Sequence, residues 1–180
     1  MLTLGVSGYL YRSAVLYYDF ETETFWSQMT GEGVVGPQTG KRLEWLPTVV
    51  TTWKEWKAEH PETSVLAPVF PLGRYRGTKK HYGRYYGSGK PWFPTGPHPI
   101  GADYAPMDAV TIVHGKGKGR CYPHKALKDG ITEDGAYKIE KKGKTVRVRD
   151  EDGKDVPTLT GFWFAWCAFY PEGSVYEPKE

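Results

Sequence analysis

Glycine and proline interrupt this chain so often that they leave little room for a long helix. The sequence contains 22 glycines and 14 prolines among 180 residues, which together make 20 % of the chain. The two residue types make up about 12 % of an average protein. No stretch carries a sustained 3.6-residue hydrophobic repeat. The 7 Trp, 13 Tyr and 7 Phe are residues that disordered segments avoid. The sequence therefore predicts an ordered, mainly β fold (β-rich α+β) with antiparallel strands, hairpins and one or two short helices.

Short runs of β-forming residues predict the first strands. Residues 2–6 begin like a strand, and residues 10–18 and 24–28 have the pattern of a hairpin with a polar break between its arms. Residues 42–46 alternate in polarity and stop at Pro47, which predicts one more strand.

The second half of the chain has the pattern of a β meander. Residues 109–114 read as a buried strand, and residues 136–141 and 144–150 flank a Lys-Gly turn. An Asp-Gly turn then leads into residues 154–159. Residues 161–170 (GFWFAWCAFY) are continuously apolar, which predicts a central strand buried on both faces.

One segment has the start and stop signals of a helix. Thr52 can cap residues 53–59, Glu55 completes a capping box, and Pro61 ends the helix. Pro123 has the place of a first-turn proline, which predicts a second short helix.

The length suits one domain with its own core, and we predict a single domain over residues 1–180. Its first part, about residues 1–66, is β-rich with one short helix. Residues 67–106 are predicted to form a long ordered loop, because prolines, glycines and tyrosines are concentrated there. Residues 107–180 are predicted to form the β meander.

Charge and cysteine content exclude few classes of protein. The net charge is only +3, and two cysteines are too few for a disulfide framework. No apolar run approaches the roughly 20 residues that span a bilayer, and the first residues lack the pattern of a signal peptide. The sequence predicts a soluble, cytoplasmic protein without membrane insertion, and it leaves an exported parent protein open.

Positive charge and aromatic rings are concentrated in one segment. No Asp or Glu occurs from Thr63 to Ala102, whereas lysines and arginines are frequent there. Cations bind phosphate or sulfate and rings stack on bases or sugars, which favours a surface for single-stranded nucleic acid or an anionic glycan. The structural alternative is a Tyr/Gly-rich loop whose rings pack over the β core. The candidate binding residues are Arg74, Tyr75, Arg76, His81, Tyr82, Arg84, Tyr85, Tyr86 and Trp92.

Two cysteines and two histidines form a candidate metal site. Cys121 and His124 make a C-x-x-H element, His114 lies seven residues before Cys121, and Cys167 lies elsewhere. Soft nitrogen and sulfur ligands of this kind suit zinc or copper. The alternative is that the cysteines are small buried thiols and that His124 is a surface residue at a helix start.

Several separate motifs are shared with a known family. Residues 5–14 (GVSGYLYRSA), 25–32 (FWSQMTGE), 52–56 (TWKEW), 121–124 (CYPH) and 162–171 (FWFAWCAFYP) resemble the bacterial and archaeal proteins grouped as domain of unknown function 3179. The resemblance runs from about residue 2 to residue 176. It implies no reaction, because the family has no established activity to carry over.

The chain departs from the family pattern in three ways. Members usually carry an upstream half with a Cys-Pro-Leu-Cys element, and here the resemblance begins at residue 2. Cys121 and Cys167 stand where alanine is expected, and Tyr170 stands where a histidine is common. A metal or redox role of the upstream cysteines therefore does not transfer, and the resemblance implies that residues 2–6 present a sheet edge.

The Trp-Ser-Gln element is the most specific of these motifs. Ser7, Trp26, Ser27 and Gln28 are the pocket candidates. The amide of Gln28 can either satisfy turn main chain or orient a ligand. No GxSxG elbow or defined carboxylate pair is present, so no catalytic residue is assigned.

These features favour a non-catalytic binding or accessory subunit that works through protein–protein contacts, since Trp, Tyr and Arg are the anchor residues of interfaces. The expected partner is another protein chain or a second copy, paired with the edge at residues 2–6. Two alternatives stay open. One is a metal-binding or redox accessory protein, and the other is a binder of single-stranded nucleic acid or an anionic glycan through residues 74–92.

Overall fold

The computed structural model describes residues 2–65, 78–114 and 118–178, with side chains in the second helix described from residue 82 onward. The predicted mainly β fold is confirmed, because strands far outnumber helices. Among the described residues, no helix is long and apolar enough to cross a membrane.

The strands are β1 (Leu4–Tyr11), β2 (Ala14–Asp19), β3 (Phe25–Ser27), β4 (Gly33–Val35), β5 (Ala109–Val113), β6 (Arg120–Pro123), β7 (Gly130–Asp134), β8 (Tyr137–Lys142), β9 (Thr145–Arg149), β10 (Thr158–Phe162) and β11 (Ser174–Val175). The helices are α1 (Trp53–Glu59), α2 (Thr78–Gly87) and α3 (Trp163–Phe169).

The first sheet contains β1 to β4 in chain order, and all its pairs are antiparallel. Its first hairpin turns at Arg12 and Ser13, whose φ angles of 50° and 65° are left-handed. Left-handed backbone at both central residues is typical of a turn that matches the twist of the strands. The prediction of one strand over residues 10–18 is wrong, because this turn lacks the Asn or Gly that normally marks it.

The second sheet has the order β10-β5-β6-β11, and the third is the antiparallel meander β7-β8-β9. The buried strand predicted at residues 109–114 is β5, which pairs on both sides. The hairpin predicted at residues 136–141 and 144–150 is confirmed as β8 and β9, whereas the arm predicted at residues 154–159 does not join this sheet, because β10 begins at Thr158 and pairs with β5. The two turns of the third sheet contain Gly135 and Gly143, with left-handed φ angles of 59° and 58°.

The strands β5 and β6 divide the core into two clusters, because successive residues of a strand face opposite sides of its sheet. Val110, Ile112 and Cys121 pack in one cluster with the tryptophans of α3. Val113 and Tyr122 pack in the other cluster, whose remaining buried members are Leu127, Ile139, Val146 and Val148. Both faces of the second sheet are therefore covered.

The closing aromatic run does not form the strand predicted over residues 161–170. β10 ends at Phe162, and five of the seven residues of α3 are buried. The amides of Trp163 and Phe164 donate to the carbonyls of Asp108 and Pro106 at 2.9 and 3.0 Å. The run is apolar on every side, so a buried strand and a buried helix have the same sequence pattern.

The helix predicted at residues 53–59 is confirmed together with its capping box. Thr52 Oγ1 accepts a hydrogen bond from the amide of Glu55 at 3.2 Å, and Glu55 Oε2 accepts one from the amide of Thr52 at 3.2 Å. This helix is predictable because its start is specified by residues three apart in sequence.

The strand predicted over residues 42–46 is absent from the described structure. Arg42 makes only an isolated bridge to Glu32, and the segment that follows is extended without a ladder. It is held instead by side chains, because Thr48 and Thr158 each donate a hydroxyl hydrogen bond to the carbonyl of the other at 3.2 Å.

Part of the loop predicted over residues 67–106 lies outside the described residues. Its described part contains the helix α2, which the sequence pattern did not predict because glycines lower helix propensity. The short helix predicted from Pro123 is replaced by the end of β6, where Pro123 lies opposite Val110. Pro123 has no amide to donate, and the bonding to β5 continues at the next residue, where the amide of His124 donates to the carbonyl of Ala109 at 3.0 Å.

Candidate functional site

The Trp-Ser-Gln element is built around a buried carboxylate that the sequence analysis did not select. Asp19, at the end of β2, is inaccessible to solvent. Its Oδ2 accepts hydrogen bonds from Trp26 Nε1 at 2.7 Å and from Thr22 Oγ1 at 2.8 Å. Burial alone would raise the pKa of Asp19, but the hydrogen bonds hold it below its usual value. The carboxylate is therefore charged, and it fixes the indole of Trp26.

The two serines of the pocket candidates also bond to main chain. Ser7 Oγ donates to the carbonyl of Leu16 at 2.7 Å, where β1 bulges. Ser27 Oγ accepts from the amide of Thr30 at 3.3 Å. Gln28 is half-buried beside them. These contacts give Ser7, Trp26 and Ser27 structural roles, and a ligand-orienting role for the four residues stays a prediction.

The structure places Cys121 and His124 on opposite faces of the second sheet. Cys121 lies opposite Ile112 and packs in the cluster with α3, and burial raises the pKa of its thiol. His124 Nε2 lies 2.9 Å from Thr111 Oγ1, on the other face. Cys167 packs against the same cluster as Cys121, and its Sγ accepts a hydrogen bond from the amide of Gly101 at 3.4 Å.

His114 belongs to a separate aromatic cluster. Its ring stacks on Trp45 with a centroid separation of 3.7 Å, and its Nδ1 lies 3.0 Å from Tyr170 Oη. Tyr170 Oη also donates to the carbonyl of Met29 at 2.5 Å. Because a phenol has one proton to donate, His114 Nδ1 carries a proton and donates it to Tyr170. Burial lowers the pKa of His114 to about 4, so the imidazole is neutral.

The four predicted metal ligands are therefore divided among three places. In the described ranges, no three or more His, Cys, Asp and Glu side chains are grouped so that they could hold a metal ion. Zinc or copper binding stays a prediction that these contacts do not support.

The basic aromatic segment is described only in part. Arg74, Tyr75, Arg76 and the side chain of His81 lie outside the described residues. Of the rest, Tyr82, Arg84, Tyr85 and Tyr86 lie on α2, and Trp92 follows it.

Its rings make two kinds of contact. Tyr85 packs edge-on against Trp92 with centroids 5.1 Å apart, and Tyr86 lies 5.7 Å from Phe162 at the end of β10. Tyr82, Tyr86 and Trp92 are nevertheless more than half exposed. Binding of nucleic acid or a glycan through this segment stays a prediction.

Exposed apolar side chains flank β1 on both faces of the first sheet, and we call them together the β1 patch, defined as Leu4, Val6, Tyr9 and Phe20. Val6 is 74 % exposed, Tyr9 66 % and Phe20 65 %. The two aromatic rings are held edge-on, Tyr9 against Phe25 at 5.7 Å and Phe20 against Tyr18 at 5.5 Å. The sequence signal for this surface was the edge expected at residues 2–6.

Arg12 is a second feature that the sequence analysis missed. From its left-handed position in the turn, its Nη1 donates to the carbonyl of Ala168 at the end of α3. Its guanidinium lies 5.1 Å from the ring centre of Tyr11 and 5.7 Å from that of Phe169. This contact joins the first sheet to α3, which is distant in sequence, and no local sequence pattern predicts it.

Comparison with known proteins identifies the family. A family model described as Protein of unknown function (DUF3179) matches residues 1–139. The chain belongs to this family. The DUF3179 match covers the Trp-Ser-Gln element, the capping box and Cys121 to His124, and the closing aromatic motif lies beyond it. No curated protein and no solved structure matches the chain. The DUF3179 description assigns no reaction, ligand or partner.

Proposed function

We propose that this DUF3179 protein is a non-catalytic binding protein that works through protein–protein contacts, and that its partner at β1 is a second copy of the same chain. The observation that carries the proposal is the β1 patch, a set of exposed apolar side chains on both sides of a strand whose outer edge is free among the described strands. Exposed apolar surface of this kind marks interaction sites.

The edge of β1 lacks the usual protection against pairing. Among the described strands, β1 pairs only with β2. None of its eight residues, LGVSGYLY, is charged or proline. Natural edge strands normally carry a lysine, a proline or a bulge that hinders pairing with another chain. Of these features, β1 has only the bulge between Val6 and Leu10. That bulge leaves Leu4 to Val6 in regular register with β2.

The charges at the two ends of β1 favour a second copy in antiparallel orientation. Glu21 accepts hydrogen bonds from the amide and hydroxyl of Thr3 at 2.7 and 2.6 Å, so the strand begins beside a carboxylate. Arg12 directly follows its last residue. Antiparallel pairing of two copies brings the acidic start of each strand to the basic end of the other, which is attractive. The two bulges then meet at the symmetry axis, as in an isologous interface.

Sedimentation velocity of matched lysine variants tests the proposal. The wild type is expected to dimerise at micromolar concentration, and Val6→Lys to stay monomeric because it puts charge into the interface. Ile131→Lys on β7 is the matched control, since Ile131 is 72 % exposed in a different sheet. It should dimerise like the wild type. A monomeric wild type, or equal dimerisation of both variants, would overturn the proposal.

A further inference from the structure

A cleft outside the first sheet has the composition of a small-molecule site. It lies between α1, the extended segment at residues 47–49 and the end of the third sheet, and its volume is about 480 Å³. That volume is in the range of small-molecule sites, roughly 300–1,000 Å³. Its lining includes Trp56, His60, Arg147, Val148, Asp155 and Val156.

One wall of the cleft is aromatic, and main chain of the third sheet lies beside it. The rings of Trp56 and His60 lie 4.0 Å apart at an angle of 37°. Trp56 Nε1 donates to Thr63 Oγ1 at 3.0 Å, which fixes the orientation of the indole. The amide of Val156 donates to the carbonyl of Val148 at 2.9 Å, and both valine side chains face the buried cluster. A ring or branched aliphatic group can pack against the indole of Trp56.

The cleft is also lined by one cation and one anion. The guanidinium of Arg147 bonds to Glu59, and its side chain is only 20 % exposed. Asp155 Oδ1 accepts from Arg149 Nε at 3.2 Å. A guanidinium has five N–H donors and a carboxylate about four acceptor sites, so each group has capacity for a ligand.

The register of the strand brings these two charges to the same face. Arg147 and Arg149 are two residues apart on β9, and Asp155 lies directly opposite Arg149 in an isolated bridge. Arg147 and Asp155 are therefore diagonal neighbours, a relationship with Cα atoms roughly 7–8 Å apart. Side chains of this length can both reach one small molecule between them.

We propose that this cleft binds a free amino acid with an apolar side chain. Arg147 binds its carboxylate, Asp155 binds its ammonium group, and the side chain packs on Trp56. The opposite charges of Arg147 and Asp155 favour a zwitterion over a simple anion or cation, because each of those would meet one repelling group. The site is independent of β1 and does not rest on the proposed dimer.

Calorimetry with L-phenylalanine as the probe tests the inference, with two analogues as comparison. 3-Phenylpropionate lacks the ammonium group and phenethylamine lacks the carboxylate. Each analogue should bind at least about tenfold more weakly than phenylalanine, since a charged hydrogen bond is lost. Equal affinity for all three compounds, or no binding of phenylalanine at millimolar concentration, would overturn the inference.

Charge-neutralising variants locate the site. Arg147→Gln and Asp155→Asn should each weaken phenylalanine binding at least about tenfold. Lys154→Gln, next to Asp155 and exposed, is the control and should bind like the wild type. Far-UV circular dichroism checks that each variant is folded. Wild-type affinity in both folded Arg147 and Asp155 variants would contradict the assignment.

Discussion

Trp26 Nε1 donates a hydrogen bond to Asp19 Oδ2 at 2.7 Å, and both side chains are almost inaccessible to solvent. The bond joins the end of β2 to the middle of β3 and fixes the loop between them. The buried carboxylate therefore gives the most specific motif of the chain a structural role, and a ligand-orienting role for it stays a prediction.

The Asp19 network predicts a stability that is lost in acid. The pKa of Asp19 is lowered in the folded state, so its contribution is present above the unfolded pKa of about 3.9 and disappears as pH falls through the folded value. Asp19→Asn should lower the melting temperature at pH 7 by several degrees, and the difference from wild type should shrink in acid. Asp152→Asn, an exposed carboxylate, is the control. A difference that is independent of pH would contradict the role assigned to Asp19.

The capping box of α1 predicts an unusually acidic glutamate. Hydrogen bonds from the side chain and amide of Thr52, and from Thr51 and Thr145, lower the pKa of Glu55 to about 2. A carbon-13 titration of its carboxyl group should show a midpoint near that value, and a midpoint near 4.3 would contradict the geometry. Thr52→Ala should destabilise the protein by about 1 kcal/mol, whereas Thr52→Ser should retain most of the cap.

The neutral His114 predicts a second pH dependence of stability. Its folded pKa is about 4, below the unfolded value of 6.5, so the unfolded chain binds a proton first as pH falls. The free energy of unfolding should decrease as pH falls from 6.5 to 4. Below pH 4, His114 should make no further contribution to the pH dependence. His114→Phe keeps a ring against Trp45 and should remove the dependence. Nitrogen-15 spectra should show the proton on Nδ1, and a proton on Nε2 would contradict the bond to Tyr170.

Alanine substitutions at two left-handed glycines separate the cost of backbone strain from the cost of overpacking. Gly31 has a φ of 66°, and a Cβ there would lie 3.0 Å from the indole of Trp45. Gly135 has a φ of 59° and open space around it. Gly135→Ala should cost about 1–2 kcal/mol from the backbone alone. Gly31→Ala should cost a further 1–3 kcal/mol or so from overpacking. Equal losses in denaturant unfolding would show that Trp45 does not crowd the turn.

Local signals predicted part of this fold correctly. The helix at α1 was predictable because Thr52 and Glu55 specify it within one turn, and the hairpin of β8 and β9 was predictable from its Lys-Gly turn. The turn at Arg12 and Ser13 was not, since neither residue is glycine or asparagine. Residues 163–169 form a helix rather than a strand because packing, not periodicity, decides a fully apolar run.

The candidate sites were harder to predict, because they join residues that are distant in sequence. His114 and Tyr170 are 56 residues apart, and the bond from Arg12 to Ala168 spans 156 residues. The C-x-x-H spacing of Cys121 and His124 suggested proximity, but His124 directly follows the end of β6, and its side chain lies on the face of the sheet opposite to Cys121. The edge at residues 2–6 could be predicted from the sequence because it depends on one strand alone.

Hydrogen–deuterium exchange of β1 tests most directly the central claim that a second copy covers this edge. Exchange of the amides of Leu4 to Val6 that point away from β2 is measured across a wide range of protein concentration, with those of β7 as the control. Protection in β1 should rise with concentration while β7 stays unchanged, because only β1 gains main-chain partners in the dimer. Exchange in β1 that is fast at every concentration would contradict the proposal.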